Sequence, residues 1–327
     1  MASGTNIMTN STEFERLRRL HKVLVMFYEQ NISQAKIAEM TGLSHTTVNR
    51  LVKEGQERGL VEITVKSPFG NMTDLGAIIA ELGRIENAIV VPEVSTDPQI
   101  TIKSTADAAV AALFETLEDG MTIAISGGVG VSAIVEAMKP KRSYDVTVVP
   151  ATGGVQGKYY TDVNHVSMAM AEKLGGRALQ LHAPIIAGSR EARDTLLDVR
   201  SIRDVFDTAR TADIAVMGIG SVRETTSTYL SLDGDIDRDD VLGSGACGEL
   251  LAHLINADGK PCDYPANDRV VALSLDELRQ IPHRFAIASG QHKAEPIASI
   301  LRGDFLTTLA IDEQTAYAVT DILKGDA

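Results

Sequence analysis

The first strong pattern along the chain is a pair of short apolar stripes at helical spacing, separated by a glycine. Gly42 permits a tight turn between them, and Ser33 and Ser44 are suited to cap the two helices. The positions that we expect to face inward are Ile37, Ala38 and Met40 in the first helix and Val48, Leu51 and Val52 in the second. The pattern predicts a helix, a tight turn and a second helix.

The polar side chains of the second helix point away from its apolar stripe. They are hydrogen-bonding or cationic, which suits them to base edges and phosphates in a DNA major groove. The plainer alternative is an ordinary helical hairpin with a solvated face. We expect a DNA-binding surface formed by Ser33, Gln34, Ser44, His45, Thr46, Thr47, Asn49, Arg50 and Lys53.

The flanking residues favour the DNA-binding interpretation. Upstream, Thr12 and Glu15 form a capping-box pattern that predicts the start of a covering helix. Its apolar stripe consists of Leu17, Leu20, Leu24 and Phe27. Downstream, apolar and polar residues alternate after Gly59, at Val61, Ile63 and Val65, and predict a short strand in the position of a wing. Residues 12–66 are therefore interpreted as a winged helix-turn-helix domain.

Beyond a hinge at residues 67–70, apolar runs alternate with amphipathic helical patterns almost to the C-terminus. The runs predict strands at Ala88–Val91, Thr122–Ser126, Val146–Val149, Leu179–His182, Ile214–Gly218, Val270–Leu273, Phe285–Ala288 and Thr308–Ile311. Predicted helices include Ala106–Leu117, Val163–Leu174, Cys247–Ile255, Glu295–Leu301 and Glu313–Leu323. This alternation is typical of a parallel sheet covered on both faces. We expect residues 71–327 to form one doubly wound α/β domain whose ligand lies past the carboxyl ends of the strands.

Glycines collect where three of these predicted strands end, within the segments 127–130, 153–157 and 218–220. Small residues between a strand and a helix let backbone amides approach an anion, so a phosphate or a polar sugar edge suits these loops. One alternative is a set of tight turns that need glycine for backbone reasons only. Another is a dinucleotide site, but the match to that pattern is loose and lacks the acidic residue on the next strand.

Charge is divided unevenly along the 327 residues, whose net charge is -13. Residues 1–66 hold nine Lys and Arg against seven Asp and Glu, a balance of +2, which leaves -15 for the rest. We therefore expect only the N-terminal domain to meet nucleic acid.

Several other classes of site and location are disfavoured. Cys247 and Cys262 offer no disulfide framework, and the chain has neither a signal-peptide pattern nor a membrane-length apolar run. We expect a cytoplasmic, soluble protein without a membrane partner. Residues 233–240 resemble a calcium loop, but Arg238 stands where that loop needs glycine, and the seven histidines lack ligand spacing. The sequence predicts no metal and no cofactor.

Several short motifs follow the helix-turn-helix in a fixed order. They are SerGlyGlyValGly from Ser126, ThrGlyGly from Thr152, MetGlyIleGly ending at Gly220, GlyAlaCysGlyGlu ending at Glu249 and SerGlyGlnHisLys ending at Lys293. With this order, the chain from about Leu17 to Leu323 resembles the SorC/DeoR family of sugar-binding bacterial transcriptional regulators. The resemblance implies a domain related in fold to ribose-5-phosphate isomerase and glucosamine-6-phosphate deaminase, a tetramer, and a phosphorylated sugar or polyol as effector.

The resemblance also implies an effector site, and it assigns no catalytic residue. That site comprises Gly127, Gly128, Gly130, Ser132, Thr152, Gly153, Gly154, Glu249 and Lys293. Independently, Lys293 follows a predicted strand and a glycine, so its ammonium can meet a phosphate as a compact point charge. Glu249 falls early in a predicted helix, where a carboxylate is favourable even without a ligand. Some relatives that respond to deoxyribose phosphate use a lysine as a Schiff base, and Lys158 follows the second glycine loop, but nothing in the sequence indicates the lowered pKa that this role needs, so the role is disfavoured.

The leading hypothesis is a DNA-binding regulator of a carbohydrate or polyol catabolic operon, most often a repressor in this family, and not an enzyme. One alternative is a sugar-phosphate isomerase or deaminase with a fused DNA-binding head, and another is a nicotinamide-sensing regulator. Related deaminases place Asp-Gly-His after the glycine turn, whereas this chain has Ser221, Val222 and Arg223 there. The difference favours a fold kept for binding, with catalysis lost.

Overall fold

The computed structural model describes residues 5–61, 71–155, 162–223, 229–232 and 236–325. The chain divides into two compact units, one within residues 1–68 and the other within residues 69–327. Ile63 and Val65 of the predicted wing strand lie outside the described residues, and so does Lys158. In the described part of the chain, no helix is long and apolar enough to cross a membrane.

The first unit contains the predicted helix-turn-helix. Its helices are α1 (Thr5–Leu24), continued by a wider turn over Val25–Glu29, α2 (Gln34–Thr41) and α3 (His45–Glu57). The Ser33 hydroxyl accepts from the Lys36 amide at 3.4 Å, and the Ser44 hydroxyl accepts from the Thr47 amide at 3.1 Å. Gly42 has a φ of +69°, the left-handed conformation that ends α2. Capping serines and a glycine turn therefore fix the hairpin, as the sequence predicts.

The core of this unit differs from the predicted stripes at three points. Met40, expected inside, is 57% exposed, because α2 contacts the core through Ile37 and, in part, Ala38. Leu17 is also exposed, since the inward side of α1 runs through Val23. Thr12 does not begin a helix, because α1 already starts at Thr5. The buried side chains are Leu20, Val23, Leu24, Met26, Ile37, Val48, Leu51 and Val52.

The second unit is an α/β domain with two sheets. The strands of the larger sheet are β1 (Asn87–Val91), β2 (Thr122–Ile125), β3 (Thr147–Pro150), β4 (Arg177–Ala178), β5 (Ile214–Gly218), β9 (His283–Ile287) and β10 (Thr308–Asp312). A small antiparallel sheet contains β6 (Gly220–Ser221), β7 (Ala246–Leu250) and β8 (His253–Asn256). The helices are α4 (Asn71–Gly83), α5 (Pro98–Thr116), α6 (Val129–Ala137), α7 (Val163–Leu174), α8 (Arg190–Asp198), α9 (Arg200–Arg210), α10 (Arg238–Gly243), α11 (Leu275–Arg279), α12 (Ala294–Arg302) and α13 (Glu313–Gly325).

The larger sheet is parallel and doubly wound, which confirms the predicted fold class. Its strand order is β1-β10-β9-β5-β2-β3-β4, and every pairing in it is parallel. Along β2, Ile123 and Ile125 enter one buried apolar cluster while Ala124 enters the other, so both faces are covered. From β2 the chain proceeds to β3 and β4 on one side, and β5 returns to the other side. The topological switch point therefore lies between β2 and β5.

Three predicted elements are wrong. Residues 179–182 form no strand, because β4 ends at Ala178, and residues 270–273 make only isolated bridges such as that between Thr152 and Ala272. The predicted helix Cys247–Ile255 is instead the hairpin formed by β7 and β8. Its turn places Leu251 and Ala252 at φ values of 50° and 64°. These residue types do not signal such a turn, which usually carries asparagine or glycine.

Candidate functional site

A cavity of about 250 Å³ lies at the carboxyl ends of β2, β3, β5 and β9, where the strand order switches direction. Crevices at such switch points are the usual ligand sites of open α/β sheets. Most of its wall comes from the glycine loops after these strands and from the turn between β7 and β8. The lining residues are Ser126, Gly127, Gly128, Val129, Gly130, Thr152, Gly153, Val155, Val163, Ile185, Gly218, Ile219, Gly220, Ser221, Tyr229, Leu232, Glu249, Leu251, Ala252, Ile287, His292 and Lys293.

The first loop joins β2 to the N-terminus of α6. Gly128 has a φ of +112°, which L-residues with side chains rarely adopt. A Cβ atom on Gly130 would come within 3.0 Å of the Ile287 side chain, so glycine allows α6 to approach β9. The Ser126 hydroxyl accepts from the Gly218 amide at 3.4 Å and links this loop to β5. The backbone of Gly128, Val129 and Gly130 at the start of α6 therefore borders the cavity.

The second loop follows β3. Thr152 is buried, and a Cβ atom on Gly153 would collide with the backbone carbonyl of Pro184. Two of the predicted effector residues are not brought into the cavity wall. Gly154 donates its amide to the Ala183 carbonyl at 2.9 Å behind the loop, and Ser132 lies in the first turn of α6.

Glu249 lies on β7 and not in a helix, so the predicted helix-dipole explanation of this residue is wrong. Its carboxylate packs against the backbone of Gly220, where a Cβ atom would collide with Oε1. The other oxygen, Oε2, accepts from the Ala252 amide at 3.0 Å. Both residues of the hairpin turn, Leu251 and Ala252, line the cavity. Glu249 therefore contributes a carboxylate to the cavity and also holds a strained turn in place.

Lys293 immediately precedes α12 and faces the same cavity. Among the described residues, its ammonium has no hydrogen-bond acceptor and no carboxylate within 4.0 Å. Burial lowers the pKa of Lys293, and the charge of Glu249 opposes that change. Burial likewise raises the pKa of Glu249, opposed by the Ala252 amide and by Lys293. The two charges therefore interact without forming a direct ion pair.

Asp312, which the sequence analysis did not single out, positions the segment that carries Lys293. This carboxylate is 4% exposed and lies at the end of β10. It accepts from the Gly290 amide at 2.8 Å and from the Thr315 hydroxyl at 2.6 Å. The sequence did contain a signal for this role, since Asp312 is an acidic residue directly after a predicted buried strand.

Tyr229 is a cavity residue that the sequence analysis did not identify. Its side chain is 1% exposed, and its hydroxyl has no hydrogen-bond partner among the described residues. Burial raises the pKa of this phenol, and the charge of Glu249 adds to the effect. The residue is therefore a neutral phenol in the cavity wall. No motif signal marks it, because its neighbours come together only in the fold.

Most of the predicted DNA-binding residues are exposed. Gln34 and Thr47 are half-buried, and the Thr47 hydroxyl is 2.8 Å from that of Ser44. Lys53 forms an exposed ion pair with Glu57 at 3.7 Å. The fully exposed members of the set are Ser33, Ser44, His45, Thr46, Asn49, Arg50 and Lys53. Polar and cationic groups thus cover the outer face of α3, opposite its buried stripe.

The geometry can hold a small anionic ligand with hydroxyl groups. Backbone amides and an ammonium are available to an anion, while a carboxylate and a phenol are available to hydroxyls. Within the described ranges, no group of three or more His, Cys, Asp or Glu side chains is arranged to bind a metal. Arg223, at the position where related deaminases place a histidine, forms an ion pair with Glu295 at 2.7 Å.

Family models match parts of both units. The Sugar-bind family model, described as "Putative sugar-binding domain", matches residues 67–321, and a MarR family model matches residues 21–68. The deoxyribonucleoside regulator of Bacillus subtilis (strain 168) is 27% identical over 302 residues, covering 91% of this chain and 96% of that protein. The transcriptional regulator LsrR of Klebsiella pneumoniae is 27% identical over 303 residues, covering 91% of each chain.

Solved structures agree with the fold. The full-length sorbitol operon regulator SorC from Klebsiella pneumoniae superposes with a TM-score of 0.77 at 23% identity, covering 93% of this chain and 98% of that one. A transcriptional regulator from Streptococcus pneumoniae TIGR4 gives a TM-score of 0.72 at 26% identity, covering 78% of this chain and 98% of that one.

These relatives are transcriptional regulators and not enzymes. The protein is accordingly a DNA-binding transcriptional regulator with a sugar-binding effector domain. With its effector-domain match extending over residues 67–321, the chain belongs to the SorC/DeoR-type family of sugar-binding transcriptional regulators.

Proposed function

We propose that the protein represses a carbohydrate or polyol catabolic operon and releases its operator when a phosphorylated sugar or polyol binds in the cavity. Residues 12–66 form the winged helix-turn-helix in this proposal, and residues 71–327 form the effector and oligomerisation domain of a homotetramer. The observation that carries the proposal is the Lys293 ammonium, which lies in the cavity without an acceptor among the described residues.

A phosphate explains this arrangement of charge. Burial disfavours the ammonium of Lys293, and a phosphate would supply the counter-charge that Glu249 provides only from a distance. The amides of Gly128 and Gly130 and the N-terminus of α6 add donors for the remaining phosphate oxygens. Lys293 and the first glycine loop together therefore form the proposed phosphate site.

The remaining part of the cavity suits hydroxyl groups. The Glu249 carboxylate accepts hydrogen bonds from hydroxyls and would repel a phosphate. The ligand therefore binds with its phosphate towards Lys293 and its hydroxyls towards Glu249. A volume of about 250 Å³ is just below the range of roughly 300 to 1,000 Å³ typical of ligand pockets. That size favours one small sugar phosphate over a dinucleotide. The proposed effector-binding residues are Gly127, Gly128, Gly130, Thr152, Gly153, Glu249 and Lys293, with Ser132 and Gly154 supporting their loops.

The proposed operator contacts come from the outer face of the helix-turn-helix. The exposed His45, Asn49 and Arg50 can reach base edges, while Lys53 and the capping serines can meet phosphates. An effector changes operator affinity only if it binds two conformations of the assembly unequally, with a coupling of typically about 1 to 3 kcal/mol.

Two measurements on the full-length protein test the proposal. The first is thermal unfolding with a panel of D-ribose 5-phosphate, 2-deoxy-D-ribose 5-phosphate, D-fructose 6-phosphate and sorbitol 6-phosphate, beside the unphosphorylated compounds and NAD⁺. We expect at least one phosphorylated compound to raise Tm and its unphosphorylated form to have little effect. The second is release of a promoter fragment by that same compound. A rise in Tm with NAD⁺ alone would contradict the proposal and favour a nicotinamide-sensing regulator.

A further inference from the structure

Tyr229 lines the cavity and carries a buried hydroxyl group with no hydrogen-bond partner in the described part of the chain. The residue is 1% exposed, and the hydroxyl makes no hydrogen bond to any described residue. A buried hydroxyl that pairs with neither protein nor water destabilises a fold, so such groups call for an explanation. The residue lines the same cavity as Gly220 and Glu249, where a ligand could supply the partner.

The ring of Tyr229 is held firmly by its neighbours. It belongs to an apolar cluster around β7 and β8 that includes Val222, Ile236, Val241 and Leu254. Because the ring is packed on these side chains, its hydroxyl cannot turn out to solvent without unpacking the cluster. The position of the hydroxyl is therefore fixed before any ligand arrives, as in other preorganised sites.

Burial raises the pKa of this hydroxyl, the charge of the Glu249 carboxylate raises it further, and the charge of Arg269 lowers it. Burial and the Glu249 charge both keep the phenol protonated, so it can donate one hydrogen bond and accept another. Glu249 uses Oε2 for the Ala252 amide, and a carboxylate has further acceptor positions. A neutral donor and a charged acceptor thus lie in one region of the cavity wall.

We propose that Tyr229 and Glu249 together bind a single hydroxyl group of the effector, an inference that rests on the proposed function. The effector hydroxyl donates a hydrogen bond to the Glu249 carboxylate and accepts a hydrogen bond from the Tyr229 phenol. Tyr229 is then a specificity residue, because a site built to pair a hydroxyl rejects the analogue that lacks it. The preferred effector is fully hydroxylated at that carbon, and the corresponding deoxy compound is disfavoured.

The test compares wild type with Tyr229→Phe, which keeps the ring and removes only the hydroxyl. Tyr264→Phe is the matched control, since Tyr264 packs against the same cluster but does not line the cavity. Without ligand, we expect Tyr229→Phe to unfold at the wild-type temperature or above it. A lower Tm for Tyr229→Phe, with Tyr264→Phe unchanged, would show a structural partner for the hydroxyl and overturn the inference.

Titration calorimetry then uses the tightest-binding sugar phosphate of the panel above and its monodeoxy analogues. We expect Tyr229→Phe to weaken binding of the parent compound about 2- to 10-fold, the usual net value of one hydrogen bond between neutral groups. One monodeoxy analogue should bind wild type more weakly still, because it also loses the hydrogen bond to Glu249, and combining that analogue with Tyr229→Phe should cost little more. Unchanged affinity of Tyr229→Phe, or losses that add at every position, would overturn the inference.

The two hypotheses fail in different ways. If wild type binds a phosphorylated compound and Tyr229→Phe binds it equally well, the proposed function stands and the role of Tyr229 is wrong. If no panel compound binds wild type, the proposed function fails, and the inference that rests on it fails too.

Discussion

The Oε2 atom of Glu249 accepts a hydrogen bond from the backbone amide of Ala252 at 3.0 Å and so closes the turn between β7 and β8. Leu251 and Ala252 both have positive φ in that turn, a conformation that is costly for residues with side chains. One carboxylate therefore stabilises the shape of the cavity wall and is also exposed to whatever occupies the cavity.

Because Glu249 has both roles, two substitutions of this residue should differ in their effect on stability. Glu249→Gln keeps an acceptor for the Ala252 amide, whereas Glu249→Ala leaves the strained turn without it. We expect Glu249→Ala to be less stable than Glu249→Gln by about 1 kcal/mol in urea unfolding. Both variants should also change the order of preference among sugar phosphates, because each loses the charge that reads hydroxyls. Equal stability of the two variants would show that the hydrogen bond does not hold the turn.

Lys293→Ala should separate operator binding from effector response. The variant loses the proposed phosphate partner and should bind operator like wild type, but it should not release operator at effector concentrations that suffice for wild type. Operator affinity is measured across an effector titration, with the exposed Lys139→Ala as the matched control. A Lys293→Ala response curve that overlays wild type would place the anion site elsewhere.

A third prediction concerns operator binding by the outer face of α3. Arg50→Ala or Asn49→Ala should weaken operator binding by about 1 to 3 kcal/mol, the usual value of a base contact, because neither side chain belongs to the buried stripe. Thermal stability and effector binding should not change. The control is Lys36→Ala on α2, which removes an exposed cation paired with Glu39.

Salt provides a second check on the same surface. Operator affinity of wild type should fall as salt rises, since phosphate contacts release counterions. Full operator affinity in both the Arg50→Ala and Asn49→Ala variants would rule out this face as the recognition surface.

His253 should make stability depend on pH. Its Nε2 atom is 3.1 Å from the Leu273 carbonyl, and burial lowers its pKa to about 4, with a smaller effect of Arg193 in the same direction and of Glu277 in the other. The folded protein thus favours the neutral ring, while the unfolded chain takes up a proton near pH 6.5. This contribution is complete above about pH 6.5 and is lost as pH falls towards 4.

The expected loss for this half-buried ring is roughly 1 to 3 kcal/mol between pH 7 and pH 4.5. It is measured by urea unfolding of wild type and His253→Gln at both pH values, with the exposed His182→Gln as control. His253→Gln should lose less stability on acidification than wild type or the control. An identical pH dependence in all three proteins would contradict the assignment.

The parts of the molecule that follow local rules were predictable. The caps at Ser33 and Ser44 and the glycine loop after β2 follow from hydrogen-bond chemistry and backbone freedom, which are properties of short segments. The hairpin around Glu249 was not predictable in the same way. Its apolar residues fit a helical pattern, and positive φ at Leu251 has no sequence signal.

The candidate site shows the same division. Lys293 and the glycines stand at strand ends, a position that sequence periodicity reveals. Tyr229 and Asp312 owe their roles to partners or neighbours brought together by the fold, and no single motif contains them. Met40 was wrongly predicted to be buried, since an apolar side chain on a helix need not face the core.

The close approach of Gly153 to Pro184 and of Gly220 to Glu249 has a consequence for redesign of effector preference. Neither glycine can gain a side chain without moving backbone or displacing the carboxylate, so a randomised library at these two positions would return mostly misfolded clones. Randomisation at Val155, Ile185 and Leu232 is the better choice, because these residues line the cavity and their side chains can change size or polarity. Natural relatives that differ in inducer should show the same pattern, with invariant glycines and variable neighbours.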